Sequence, residues 1–196
     1  SHNPPSYNGF KIKDSFGGPA VPAEIAKVEA YIPTQLSHEP LSFDTYIQQG
    51  LIRYEDLETL YLNAIQKGID FNIIRSSGYE LAYDAMYGAG QRAMRHLLED
   101  TTFLHCEFNP WFDGQAPEPI HKNLSELSEL IALAGDIDLG MATDGDADRI
   151  GLYNAKGKFI DSHHIILLLI HYLHKYKGMG GKVVNSFSCT GKITKL

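Results

Sequence analysis

Only two cysteines, Cys106 and Cys189, occur in 196 residues. Two thiols make no disulfide framework, and such sparing use points to a reduced, cytoplasmic compartment. Long apolar runs are missing too. The longest, Ile165 to Ile170, is six residues, far short of the ~20 that a membrane helix needs. Basic charge is scarce as well: 17 Lys and Arg stand against 24 Asp and Glu, a formal charge of −7. With no basic cluster to follow a phosphate backbone, nucleic acid is not an expected partner, and neither is a membrane. The chain opens on neither a signal peptide nor Met, and its first residues read as the interior of a longer sequence.

What is present is ordinary for a globular protein: 43% apolar and 21% charged residues, enough for one large domain or two small ones. Pro4-Pro5 and Asn8-Gly9 make an exposed opening loop before the apolar pair Phe10 and Ile12. A Gly/Pro stretch then leads into a helix over Ala23–Tyr31, and residues 33–52 read as connective. Leu57, Leu60, Tyr61, Ala64 and Ile65 recur at helical spacing, predicting a helix over Tyr54–Gln66.

Beyond residue 78 strands and helices alternate. The pattern predicts strands at Tyr79–Tyr83, Phe103–Phe108, Ile137–Ala142 and Ile150–Tyr153, and a last strand from Lys182. Helices are expected at Gln91–Leu98, Leu124–Ala134 and Ser162–Tyr176. This is an α/β chain of mixed sheets flanked by helices. Gly68, Ser76, Ser77 and Gly78 interrupt the pattern and place a boundary between residues 67 and 78.

The sharpest feature is Asp144-Gly145-Asp146-Ala147-Asp148-Arg149, directly after an apolar strand. Three carboxylates at alternate positions repel one another unless a cation sits among them. Small spacers let the loop curl all three onto one hard divalent ion. An EF-hand begins with the same spacing, but it needs Gly and Glu where this chain has Arg149 and Ala155. Arg149 would suit a phosphate that shares the metal. The plainer alternative is a solvated acidic turn. A second feature is Ser1-His2-Asn3-Pro4-Pro5, followed by Lys11. A serine in a Pro-closed loop suits a nucleophile or phosphoryl carrier, and Lys11 suits proton transfer or phosphate pairing.

Together these segments resemble the α-D-phosphohexomutase superfamily, the phosphoglucomutase/phosphomannomutase enzymes. That family's serine signature continues S-H-N-P-P-x-Y-N-G-x-K, and this chain reads SHNPPSYNGFK; its metal loop is D-G-D-[GA]-D-R, and this chain reads DGDADR. GGPA at 17–20 and DAMYGAG at 84–90 look familiar as well. The resemblance implies Ser1 as phosphoryl carrier and metal ligand, with Asp144, Asp146 and Asp148 as the Mg²⁺ ligands. It implies Arg149 near the phosphoserine, Lys11 as the proton-transfer group, and His2 as the histidine adjoining the serine. The implied reaction interconverts hexose 1-phosphate and hexose 6-phosphate, with glucose 1,6-bisphosphate as intermediate and activator. GGPA tilts the sugar toward glucose.

The family's G-E-x-S-G-H sugar loop and R-x-S-G-T phosphate loop have no counterpart here. The chain is therefore expected to be a fragment, inactive by itself. Residues 1–67 would be the later part of an incomplete first domain, 78–178 the second domain, and 181–196 the first strand of a third. Its natural partners would be the remaining domains, and uncovered faces of helices 23–31 and 54–66 would favour self-association.

Two other readings compete. Gly88-x-Gly90-x-x-Ala93 after a strand, with Glu107 nineteen residues past Gly88, matches a dinucleotide fingerprint and would make the chain an NAD(P)-binding oxidoreductase domain. The other is a non-catalytic binding module that keeps the fold. His163, His164, His171 and His174 on the last long helix fit no recognised zinc spacing and read as surface or partly buried residues. Trp111 is expected to pack its own loop, and Cys106 to sit in the core of its strand.

Overall fold

In the computed structural model of this protein, residues 2–7, 9–36 and 39–196 are described. Tyr7–Leu60 form one unit, and Tyr61–Leu196 with the residues ahead of Tyr7 form another.

In the Tyr7–Leu60 unit the chain first doubles back, with Lys13 and Pro19 forming an isolated antiparallel bridge and Asp14 N–H donating to Gly18 O at 2.9 Å. Helix α1 (Pro22–Glu29) follows, opened by a proline whose missing N–H costs nothing at that position. Helix α2 (Phe43–Gln48) is capped by Ser42, which accepts from Thr45 N–H at 3.2 Å. Neither helix buries a residue. Val28, Tyr31 and Ile32 are exposed at and just beyond the end of α1.

Helix α3 (Leu57–Gly68) runs out of this unit into the other and buries only Leu62. A short helix, α4 (Phe71–Arg75), follows, capped by Asp70. The larger unit then adds β1 (Leu81–Asp84), α5 (Gly90–Leu97), β2 (Thr102–Leu104), α6 (Ser125–Ala134), β3 (Leu139–Thr143), β4 (Ile150–Asn154), β5 (Phe159–Ile160) and α7 (Ser162–His171). The strands lie side by side in the order β2-β1-β3-β4-β5. β1 is parallel to β2 and β3, whereas the β3–β4 and β4–β5 pairs are antiparallel. The sheet is mixed and α/β, as the alternating pattern required.

Period-two alternation divides the core between two faces. Ala82 and Ala142 pack with Leu124, Leu127, Ile131, Ile137 and Tyr153 beneath α6. Tyr83, Ala85 and Cys106 pack on the opposite face with Met94 of α5, Phe103 and Met141. Gly140 lets α6 come close, since a Cβ there would run into Ile131 Cδ1 and come within 3.1 Å of Tyr153 Cβ.

Several expectations need correction. The connective reading of 33–52 misses α2, and the interruption at 67–78 contains α4. β2 ends at Leu104 rather than Phe108, because His105 turns to φ +46 and leaves the extended conformation. The strand expected from Lys182 is not formed. Val184 and Phe187 there are 91% and 104% exposed, and residues 182–190 pair with no neighbouring strand. A strand is stable only against a ladder partner. Helix α7 ends at His171 and passes into a π-turn over Tyr172–Tyr176. Trp111 does not pack its loop; it is 70% exposed. His163, His164, His171 and His174 are exposed, and both cysteines are free thiols. Among the described residues, no helix is long and apolar enough to cross a membrane.

Candidate metal centre

β3 delivers Asp144 at its carboxyl end, where an open α/β sheet offers its strand ends to ligands. The loop that follows folds back on its first residue. Asp144 is fully buried, and its Oδ1 accepts the backbone N–H groups of Asp148 and Arg149, each at 3.0 Å. Ala147 N–H donates to Asp144 O at 3.0 Å, and Asp144 N–H to Arg149 O at 3.3 Å. The curl needs Ala147 at φ +58, a conformation a β-branched residue would resist.

The result is convergence. One carboxylate oxygen each from Asp144, Asp146 and Asp148 lies within 4.8 Å of the others. Asp146 and Asp148 are exposed, so the cluster opens to solvent above a buried base. Three hard oxygen donors without sulfur or imidazole fit Mg²⁺ or a similar hard dication rather than a soft transition metal. No other group of three or more acidic, His or Cys side chains converges this way among the described residues. Arg149 lines an adjoining cleft with Glu118, Asp148, Asp161 and Ser162.

The remaining expected residues are distributed. His2 is half-buried in the segment ahead of Tyr7, whereas Lys11 is exposed and belongs to the Tyr7–Leu60 unit. Ser1 lies outside the described residues.

DAMYGAG acts otherwise than a dinucleotide fingerprint. A Cβ on Gly88 would lie 2.8 Å from Asp144 O and 2.9 Å from Gly145 Cα, and Ala89 N–H donates to Gly145 O at 3.0 Å. The space that a pyrophosphate would need at the start of α5 is filled by the acidic loop. The oxidoreductase reading fails on that contact.

One polar group escaped the sequence reading. Asp84 ends β1 almost fully buried, and His105 Nδ1–H donates to its carboxylate at 2.9 Å. His105 Nε2 is 3.3 Å from Glu126 Oε2. The Asp84 hydrogen bond, partly opposed by desolvation, holds the imidazole pKa above its ordinary value. Met86, Tyr87, His105, Phe112 and Asp113 line the pocket beside it, all at positive φ. Asp84 at a strand end was the available signal; His105 lies twenty-one residues away and carried none.

Known proteins place this arrangement. The phosphoglucomutase/phosphomannomutase α/β/α domain II matches residues 59–157, half of the chain, and domain I matches residues 1–39. A phosphopentomutase from Thermococcus kodakarensis is 28% identical over 98% of this chain and 42% of its own length. A phosphoglucomutase/phosphomannomutase from the same organism is 29% identical over 96% and 41%. A solved structure from Thermus thermophilus, assigned as a phosphomannomutase, superposes with a TM-score of 0.82 at 29% identity, over 99% of this chain and 44% of the other. The chain thus spans about two fifths of the curated relatives it matches. With two successive domains matched in order and an acidic loop curled at the end of its strand, the chain belongs to the phosphoglucomutase/phosphomannomutase family.

Proposed function

We propose that the protein to which this chain belongs is a phosphohexomutase that interconverts hexose 1-phosphate and hexose 6-phosphate, with glucose as the sugar. The observation that carries this reading is the convergence of Asp144, Asp146 and Asp148 at the end of β3. Those three side chains, with a phosphoryl oxygen on Ser1, are the proposed Mg²⁺ ligands. When bound, the cation would supply charge neutralisation to the transferring group, the main demand of phosphoryl transfer.

The chain's own residues account for the rest. Ser1 Oγ carries the phosphoryl group. Lys11 takes the proton from the attacking sugar hydroxyl as the Ser1 O–P bond breaks and the sugar O–P bond forms. The resulting glucose 1,6-bisphosphate turns over in the site, and its other phosphoryl group returns to Ser1 Oγ. Lys11 gives the proton back to the oxygen that is left. Arg149 pairs with phosphate oxygens by its planar fork, and His2 is the histidine that adjoins the serine.

Relatives at similar identity act on different sugars, by name pentose in one case and glucose or mannose in another. Support for glucose is GGPA at 17–20. The sugar-reading loops would lie in a third domain, to which residues 181–196 are assigned here. The test is an assay of the parent-length protein on glucose 1-phosphate, mannose 1-phosphate and glucosamine 1-phosphate, with and without Mg²⁺. Magnesium-dependent turnover fastest on glucose 1-phosphate supports the reading, and turnover of none refutes it.

A further inference from the structure

We propose that Tyr83, Thr143 and Gly90 act together as positioning residues for the acidic loop, setting its affinity for a divalent cation. The inference rests on the metal-binding reading of Asp144, Asp146 and Asp148, and adds three residues outside the acidic run.

Tyr83 on β1 and Thr143 on β3 share the sheet face that packs under α5, and their hydroxyls form a 2.6 Å hydrogen bond. Tyr83 is 1% exposed, and burial pushes its phenol up to about 12. It therefore keeps its proton at neutral pH. Thr143 is the last residue of β3 and is joined directly to Asp144.

Gly90 makes the room for this pair. A Cβ there would run into Tyr83 Oη and come within 3.1 Å of Thr143 Oγ1 and 3.3 Å of Ala147 Cβ. Just before it, Gly88 abuts Asp144 O and Ala89 N–H holds Gly145 O. One turn of chain thus touches the loop at Thr143, Asp144, Gly145 and Ala147. Mutually repelling carboxylates stay convergent only on a fixed backbone. Groups that orient ligands without binding the metal are commonly worth about 10–100-fold in affinity.

The test uses the full chain with Mn²⁺, a hard oxygen-seeking probe whose free form is counted by electron paramagnetic resonance. Tyr83→Phe and Thr143→Val should each weaken binding roughly tenfold. The double variant should lose little more than either single one, because both break the same hydrogen bond. Thr143→Ser keeps the hydroxyl and should stay within about twofold of the unaltered chain, while Gly90→Ala should lose the most. Leu97→Ala is the control: it empties a buried position on α5 about 10 Å from Gly90. It should lower the melting temperature and leave the affinity alone. If the unaltered chain binds Mn²⁺ and both Tyr83→Phe and Thr143→Val bind equally well, the positioning role is refuted. If the unaltered chain binds no Mn²⁺, the metal reading itself fails and the proposal falls with it.

Discussion

His105 Nδ1 stands 2.9 Å from each carboxylate oxygen of Asp84, a residue only 1% exposed. The contact ties the end of β2 to the end of β1. Asp84 Oδ1 also accepts Met86 N–H at 2.8 Å, so one carboxylate holds both the histidine and the turn that leads toward Gly88.

A pH dependence follows from this pair. The Asp84 hydrogen bond raises the His105 pKa above 6.5, so the folded chain holds that proton more tightly than the unfolded chain does. The stabilisation is complete below about pH 6.5 and is lost as pH rises through the raised folded value. The melting temperature should therefore fall as pH rises above about 6.5. In His105→Gln that fall should be shallower, and identical profiles would sink the assignment. Asp84→Ala leaves a buried N–H unsatisfied and should cost about 1–3 kcal/mol in chemical denaturation.

The three aspartates should separate under mutation. Asp144 is buried and accepts two backbone N–H groups, so Asp144→Ala should weaken cation binding and destabilise the fold by about 1–3 kcal/mol. Asp146 is exposed. Asp146→Asn should weaken cation binding while leaving the melting temperature without metal unchanged or slightly raised, because a like-charge neighbour is removed. Thermal melts with and without Mg²⁺ check both. Equal destabilisation by the two changes would mean the buried base of the loop carries no special load.

Gly140 and Ile131 should show non-additive behaviour. A Cβ at position 140 would run into Ile131 Cδ1, so Gly140→Ala should destabilise by about 1–3 kcal/mol through overpacking. Ile131→Val removes that Cδ1 and alone should cost about 0.5–1.5 kcal/mol. The double variant should be more stable than the sum of the two predicts. Strict additivity in urea denaturation would show that α6 does not approach β3 this closely.

The 196-residue chain alone should not turn over a hexose phosphate. Orientation of reactants can supply ~7–11 kcal/mol of barrier lowering, and this chain spans about two fifths of its curated relatives. A coupled assay should find no magnesium-dependent glucose 6-phosphate near the ~10 per second of an ordinary enzyme. The parent-length protein, incubated with glucose 1,6-bisphosphate, should gain one phosphoryl group by mass, and Ser1→Ala should abolish the gain.

The acidic loop was legible because local sequence encodes it. An apolar strand that empties into Asp-Gly-Asp-Ala-Asp-Arg puts three carboxylates at alternate positions of one short loop, which is enough to mark the site in the sequence. The α/β alternation is likewise a consequence of period, and the limits of two helices follow from capping: α6 stops at Ala134 because Gly135 turns to φ +75, and α7 starts at Ser162 behind Asp161, whose side chain accepts His164 N–H. Strand lengths were not legible, because a strand lasts only as long as its partner. β2 stops where His105 turns aside, and the apolar run from Lys182 forms no strand without a neighbour. The glycines of DAMYGAG have the same cause. Their spacing is compatible with a bound pyrophosphate or with a second loop of the same chain. Only the tertiary fold, which lays residues 88–90 against residues 143–147, decides between them. Asp84 and His105 meet for that reason as well: parallel pairing of β1 and β2 sets the ends of the two strands side by side, and no local pattern in the sequence reports it.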